Sequence, residues 1–391
     1  MRLSDRARGL SDSITLALAA RAKELKAGGR PIVDLTLGEP DFPAPPAARE
    51  AAKRRIDSGD VRYTPAAGLP SLRETLARHL TQTRGVRYGP AEVCVCHSGK
   101  HALSGALGAL LEPGDELLIP LPAWVSYVEI ARVWGAVPVC VEGRSDGSLD
   151  LAALERALTP RTRGLLLNSP CNPTGTILSE AELAGVAELA RRRDLWILSD
   201  EIYRRLSYGE RRPVSPVELA PDLAARTVII DGASKTFAMT GYRIGFAAGP
   251  ADLIGAIARL HSQLTGSPNA VSQAAYQAVL EQEPPEVEAM VQAYRRRRDL
   301  VVRGLGRLGL SAPFPYGAFY AFPDLSPLLA PGESADALCR ELLERADLAL
   351  VPGSAFGAPR HLRLSYATSE AVLEEALARL ERHLAARHSS R

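Results

Sequence analysis

Lys235 and Arg243 are the residues whose types and spacing first point to chemistry in this chain. They lie in a stretch of small and apolar residues, Asp231-Gly232-Ala233-Ser234-Lys235 and then Thr240-Gly241-Tyr242-Arg243-Ile244-Gly245. A lysine held away from water can lose its proton and attack a carbonyl as an amine. An arginine close by in sequence suits a phosphate dianion, because its planar fork donates hydrogen bonds in pairs. The two together call for an aldehyde that carries a phosphate. Taken singly, a surface lysine and a structural arginine are the default, so other parts of the chain must decide.

Further candidates follow short apolar runs. Asp200 closes Trp196-Ile197-Leu198-Ser199-Asp200; it reads either as a helix N-cap or as a carboxylate that keeps a ring nitrogen protonated. Tyr203, three residues on, could donate to a phenolic oxygen of the same ring. Asn172 stands between two prolines in Asn168-Ser169-Pro170-Cys171-Asn172-Pro173-Thr174-Gly175, which is turn chemistry and also a stiff mount for an amide. Ser98, Gly99 and Lys100 join a strand to a helix start, where free backbone N–H groups favour an anion. The segment is not a Walker A loop, since Cys94 and His101 occupy two of its required positions. Trp124 beyond another strand reads as core packing or as a stacking surface for a flat ring. Arg363 alternates with apolar neighbours in Leu362-Arg363-Leu364, so it needs an anionic partner, a structural carboxylate or a substrate carboxylate.

The elements that must position these groups alternate. Apolar runs at 93–96, 116–119, 137–141, 164–168, 195–200 and 228–230 are separated by amphipathic helical patterns such as Glu180–Arg193. That alternation predicts an α/β fold with a mostly parallel sheet covered on both faces. Residues 245–249 read as a last strand, antiparallel to the others. Ligand groups of an open α/β sheet gather at the carboxyl ends of its strands, where most of the candidates fall. Beyond about residue 275 long helical stretches enclose short strands near 318–320 and 362–364, the pattern of a smaller α+β lobe. The expected division is 1–43 as N-terminal arm and part of the small domain, 44–280 as the large domain and 281–391 as the small C-terminal domain. The basic run Arg295–Arg298 is read as a solvated helix face.

Composition narrows the function classes. The chain has 391 residues, 46% hydrophobic and 24% charged, with a formal net charge of +2. That balance gives no electrostatic reason to expect nucleic acid or membrane as a partner. No signal-type apolar segment or bilayer-length run is evident, and the five cysteines lack a disulfide framework, so a reducing cytoplasm is the expected location. Cys94 and Cys96 share one face of a strand, but without a second ligand pair they read as small buried hydrophobes, and no metal is expected.

Five separated segments resemble the class I/II aminotransferases of fold type I. They are the S-K-x-x-x-x-x-G-x-R-x-G stretch at Ser234–Gly245, the N-x-P-x-N-P-T-G loop at Asn168–Gly175, Ser98-Gly99-Lys100, Asp200 with Tyr203, and Arg363. Within that family the likeness is to the bacterial aspartate/prephenate subgroup, and it runs from Leu37-Gly38-Glu39-Pro40 to Arg363-Leu364-Ser365. The resemblance implies pyridoxal 5′-phosphate as cofactor, bound as an imine to Lys235. By the same resemblance Asp200 pairs with the ring nitrogen, Asn172 and Tyr203 reach the phenolic oxygen, and Trp124 stacks on the ring. Ser98, Gly99, Lys100 and Arg243 frame the phosphate, and Tyr63 reaches the phosphate of a neighbouring subunit in a homodimer. Arg363 holds the substrate α-carboxylate with Asn172, Trp124 and the backbone near Gly38, while Lys100 and Thr15 favour a second, side-chain carboxylate. The implied reaction moves an amino group between an L-amino acid and a 2-oxo acid; aspartate, glutamate and prephenate are the implied dicarboxylic partners, and 2-oxoglutarate is the implied second oxo acid. Two departures stand out: Gly232 replaces a phosphate-binding serine, and His101 replaces a glutamine beside the phosphate.

Rival readings keep the cofactor but change the reaction, to a C–S β-lyase or a decarboxylase, or keep neither. Gly143-Arg144-Ser145-Asp146-Gly147 matches the G-x-S-x-G of serine hydrolases, with His361 downstream. A nucleophile elbow requires a helix directly after the serine, and here a polar turn follows, with helix character beginning only near Asp150. A cofactor-binding sensor fused to a DNA-binding module would need an N-terminal domain for which the residues before Gly38 leave no room.

Overall fold

The computed structural model describes residues 3–11, 14–330 and 332–389. Its centre is a seven-stranded sheet. Across the sheet the strands run Val93–Cys96, Gly245–Ala248, Thr227–Gly232, Trp196–Asp200, Thr162–Asn168, Glu116–Leu121 and Val137–Glu142. All neighbouring pairs are parallel except those made by Gly245–Ala248, which is antiparallel to both its neighbours. The parallel α/β architecture and the antiparallel seventh strand are therefore as the alternating pattern predicts. Near-continuous apolar runs such as Leu165-Leu166-Leu167 are buried on both faces, which is why they show no polar alternation.

One face is covered by Gly99–Leu110, Ser126–Val133 and Ala251–Leu264, whose apolar sides join Leu117, Ile119, Val228 and Ile230 in one cluster. The helix Glu180–Arg193 packs on the opposite face with Leu183, Val186 and Leu189. Its start is fixed by a capping box: Ser179 accepts from the Glu182 N–H, and Glu182 accepts from the Ser179 N–H at 2.7 Å. Asp150 caps the helix Leu151–Arg156 by a single bond, its carboxylate accepting from the Ala153 N–H at 2.9 Å.

A second cluster forms the smaller lobe. It contains the three-stranded antiparallel sheet of Val351–Pro352, Leu362–Ser365 and Tyr320–Ala321, and the helices Glu286–Arg307, Ala335–Ala346 and Glu370–Ser389. Val33–Asp34 pairs in parallel with Leu348–Ala349, so the N-terminal segment is stitched to the C-terminal one. That two-residue pairing, and the helices Ile14–Ala27, Pro46–Asp57 and Pro70–Arg84, carry weaker local signals than the core strands.

The basic run corrects the sequence reading. Arg295 and Arg296 are exposed, but Arg297 and Arg298 lie on the buried side of their helix with Tyr294 and Val301. Arg298 pairs with Glu210 at 2.8 Å and covers the rings of Tyr208 and Phe314 at 5.0 and 4.8 Å. Arg297 pairs with Asp41 at 2.8 Å and lies over Phe42. Aromatic faces and carboxylates from distant segments replace the water that a lone arginine requires.

Glycines permit the tightest approach in the sheet. Gly232 and Gly245 face each other across the antiparallel pair, and a Cβ on Gly232 would stand 2.7 Å from the Gly245 Cα. A serine at position 232 would force this backbone to shift. A Cβ on Gly245 would stand 2.6 Å from the Gly99 nitrogen and 2.7 Å from the Ser98 carbonyl carbon. Gly245→Ala should therefore lower unfolding stability by roughly 1–3 kcal/mol, the usual cost of forcing atoms into a packed interior. Urea unfolding followed by circular dichroism measures it; an unchanged midpoint would show that the loop gives way freely.

Candidate functional site

The parallel strands end at one edge of the sheet, and because Gly245–Ala248 runs the other way, its beginning lies at that same edge. Ser98 follows Cys96, Trp124 follows Leu121, Asn172 follows Asn168, Asp200 ends its strand, Lys235 follows Gly232, and Arg243 precedes Gly245. A cavity of about 350 Å³ opens there. Its walls contain Ser98, Gly99, Lys100, Trp124, Asn172, Asp200, Tyr203, Lys235 and Arg243 from the sheet side. The smaller lobe and the N-terminal segment add Arg363, Gly38 and Thr15. Tyr63 is the one expected site residue outside it; its side chain is 98% exposed on the surface.

Lys235 sits on a single helical turn, Ala233–Thr236, and its Nζ donates to the Gly38 carbonyl at 2.6 Å. Burial pulls its pKa down to about 8; Glu39 opposes that shift, and Arg243 and Arg363 add to it. A sizeable fraction of a nucleophilic amine therefore exists near neutral pH. Asp200 shows the opposite case. Burial raises its carboxyl to about 6, against a hydrogen bond from the Tyr127 hydroxyl to Oδ2 at 2.6 Å. Asn168 and the Ile202 N–H fix the turn around it, the latter donating to Asp200 Oδ1 at 3.2 Å. A buried carboxylate of this kind gains most from a cationic N–H placed against it.

Directly behind, Glu201 points into the protein. It accepts from Arg84 Nε at 2.8 Å, Ser199 Oγ at 3.0 Å and Ser215 Oγ at 2.5 Å. This paired, hydrogen-bonded charge anchors the backbone on which Asp200 and Tyr203 are carried.

Arg363 is buried in the wall. Nη1 donates to Asn172 Oδ1 at 3.0 Å and Nη2 to the Thr36 carbonyl at 2.7 Å, and its guanidinium lies 4.4 Å from the Tyr320 ring centre. Its Nε is buried without a hydrogen-bond partner. Among the described residues no carboxylate pairs with this cation, so a ligand is left to supply its anion. Asn172 is held in turn by its own N–H, which donates to Asn168 Oδ1 at 2.8 Å.

At the other end Ser98 caps the helix Gly99–Leu110, accepting from the His101 N–H at 3.2 Å. Burial and the nearby Arg243 lower the Lys100 pKa, and its Nζ lies 4.8 Å above the Trp124 ring. Arg243 is fixed by a bond from Nη1 to the Thr240 carbonyl at 2.9 Å. A helix N-terminus, a lysine and an arginine thus converge where an anion would be held.

The serine-hydrolase alternative fails on geometry. Ser145 lies in a turn closed by the Gly147 N–H on the Arg144 carbonyl, and the helix begins only at Leu151. No hydrogen bond joins Ser145 to His361 among the described residues, and the His361 ring stacks on Phe322.

Sequence reasoning missed Tyr127, Tyr320, Glu39 and Ser234, which also line the cavity. Tyr320 hydrogen-bonds Tyr203 hydroxyl to hydroxyl at 3.0 Å, and Glu39 accepts from Thr240 Oγ1. Tyr127, one turn past Trp124, carried a faint signal as an aromatic just beyond a strand end.

Comparison with known proteins now decides the family. The family model for aminotransferase class I and II matches residues 30–380. An aspartate aminotransferase of Geobacillus stearothermophilus is 43% identical over 99% of this chain and 100% of its own. An aspartate/prephenate aminotransferase of Thermus thermophilus is 45% identical over 98% of both. The solved aspartate aminotransferase of Thermus thermophilus with maleate superposes with a TM-score of 0.93 at 44% identity, covering 98% of this chain and 100% of that one. The chain belongs to the class I and II aminotransferases. As an aminotransferase it is an enzyme of amino-group transfer, and the lyase and decarboxylase readings give way to that. None of the described helices is long and apolar enough to cross a membrane.

The raised Asp200 pKa has a consequence for stability. A carboxyl raised from 3.8 to about 6 favours folding below its unfolded value, and that advantage is lost as pH rises through about 6. Above that pH the folded, ligand-free protein holds a costly buried charge. Asp200→Asn should stabilise the ligand-free aminotransferase at pH 8 by on the order of 2–3 kcal/mol and have little effect at pH 4. Denaturant midpoints at both pH values check the sign; equal shifts would place the Asp200 carboxyl in a solvated setting.

Proposed function

We propose that this aminotransferase binds pyridoxal 5′-phosphate in the cavity and exchanges amino groups between a dicarboxylic amino acid, aspartate first, and 2-oxoglutarate. The single observation that carries the reading is the opposed pair in one cavity: a lysine lowered to about 8 and an aspartate raised to about 6, both by burial. The residues fit the cofactor. The unpartnered Arg363 Nε calls for a carboxylate, the helix start with Lys100 and Arg243 calls for a phosphate, and Asp200 calls for a protonated ring nitrogen. When bound, pyridoxal 5′-phosphate supplies an aldehyde that captures amines and a ring that takes up the electrons released at the substrate Cα.

The rest of the chemistry belongs to the chain. Ser98, Gly99, Lys100 and Arg243 would hold the phosphate, with Tyr63 of a second copy completing the site in a homodimer. Trp124 would lie against the ring, and Asn172 and Tyr203 would donate to its phenolic oxygen. Asp200 keeps the proton on the ring nitrogen, and the Tyr127 hydroxyl holds that carboxylate in place. Arg363 and Asn172 orient the α-carboxylate, which directs the Cα–H bond toward Lys235. The free Lys235 amine would take the proton from the substrate Cα and hand it to the aldehyde-derived carbon of the cofactor, acting first as base and then as acid. Lys100 and Thr15 meet the side-chain carboxylate; the structural relative crystallised with maleate, a dicarboxylate, supports that choice. The same reading takes residues 1–43 as the N-terminal arm and part of the small domain, 44–280 as the large domain and 281–391 as the small C-terminal domain.

Replacing Lys235 by alanine should reduce turnover by roughly 10²–10⁴-fold or more. Borohydride reduction of the wild type should fix the cofactor on the peptide that contains Lys235. Fluorophosphonate labelling of Ser145 with no label at Lys235 would reverse the reading. Substrate choice has its own test. Lys100→Ala should raise the KM for aspartate about tenfold more than that for alanine, as expected for one lost charge-assisted hydrogen bond. Equal changes for both substrates would remove Lys100 from side-chain recognition.

A further inference from the structure

Cys94 and Cys96 take no part in the site described above, yet the fold gives them a third partner. Their side chains leave the same face of the Val93–Cys96 strand, toward the helix Ala251–Leu264. His261 of that helix brings Nδ1 to 3.7 Å from Cys94 Sγ and 3.8 Å from Cys96 Sγ. The three ligand atoms lie within 4.8 Å of one another, and the residues are 0%, 0% and 1% exposed. Each sulfur also has a backbone carbonyl within reach, Val95 O at 3.7 Å for Cys94 and Cys94 O at 3.4 Å for Cys96.

One imidazole nitrogen offers a single lone pair and can accept from only one thiol. Two sulfurs converging on it have the arrangement of ligands around a cation. Metal–sulfur and metal–nitrogen bonds of about 2.3 and 2.0 Å put neighbouring ligand atoms roughly 3.5–4 Å apart, and both sulfur–nitrogen spacings fall in that range. Two thiolates around Zn2+, or one thiolate and one thiol around Cu+, are electrically neutral, so the cluster could be buried without the penalty of a lone charge. The packing around His261 leaves it room. A Cβ on Gly105 would stand 2.6 Å from His261 Nε2, so the absent side chain is what admits the ring.

We propose that Cys94, Cys96 and His261 form a structural site for one thiophilic d10 cation, Zn2+ or Cu+. Thiolate and imidazole together select ions of this class. The site would clamp the Val93–Cys96 strand to the Ala251–Leu264 helix just below the loop that starts at Ser98.

The test uses the full chain, unfolded with a chelator and refolded with Zn2+, or with Cu+ without oxygen, then desalted and assayed for metal. One ion per chain is expected in at least one arm, and the arm identifies the ion. Cys96→Ser and His261→Gln should each reduce the bound metal at least tenfold, whereas Cys339→Ser, which alters a buried thiol elsewhere, should keep it. Because a substituted core can fail to fold, X-ray absorption of the loaded wild type provides a second readout, with a first shell of two sulfurs and one nitrogen expected. No stoichiometric metal in either arm, equal metal in folded Cys96→Ser, or a first shell without sulfur would overturn the site.

Discussion

One antiparallel strand sets the geometry of this enzyme. Gly245–Ala248 is wedged between Val93–Cys96 and Thr227–Gly232, and its direction brings its first residue to the edge where its neighbours end. Lys235, Arg243 and the Ser98–Gly99 turn thereby emerge side by side from segments far apart in sequence. The approach depends on hydrogen atoms in place of side chains at Gly232 and Gly245, because a Cβ at either would meet backbone. A parallel strand in this position would have delivered Arg243 to the far edge, away from the lysine.

Desolvation then gives these groups their chemistry. The same burial that pulls Lys235 down to about 8 pushes Asp200 up to about 6, so a shared loss of water narrows the gap between base and acid. The two differ in what surrounds them. Lys235 reaches only a carbonyl, at 2.6 Å, and stays available, whereas Asp200 is pinned by Tyr127 and by the backbone of Ile202. Glu201, the next residue, is pulled the other way: Arg84, Arg204 and two serines hold its pKa below the usual range despite burial. Adjacent carboxyls on one chain thus serve as a charge reserved for a ligand and a charge already paired.

Legibility in the sequence followed the range of the interactions involved. Strand ends, turn dipeptides and the Gly99–Leu110 helix start are local features, so local residue order singles out Asp200, Asn172, Ser98 and Lys235 as candidates, whose roles the family resemblance then implies. The parallel sheet could be read because its strands are apolar without alternation. What escaped was set by distant partners. Tyr127 looks like any core aromatic until its hydroxyl meets Asp200, seventy-three positions away. Arg297 and Arg298 look solvated until Asp41, Glu210, Tyr208 and Phe314 arrive from other elements. His261 gives no metal-ligand spacing relative to Cys94 and Cys96, because a helix registers against a strand only through packing.

The split of the cavity wall between lobes bears on how substrate choice can arise. The groups assigned to the cofactor, from Ser98 to Arg243, are fixed to the sheet, whereas Arg363, Tyr320, Gly38 and Thr15 come from the smaller lobe and the N-terminal segment. Arg363 already bridges the two, with Asn172 on one side and the Thr36 carbonyl on the other. A substrate carboxylate at its free Nε would add a charge-assisted bond at this junction and favour the arrangement in which the lobes are joined. Lys100 lines the same cavity from the sheet side. A second carboxylate placed there would engage the sheet while the first engages the smaller lobe. On the proposed assignment of Lys100 and Arg363, a dicarboxylic substrate would span the cleft, and a substrate with one carboxylate would grip only the Arg363 side of it.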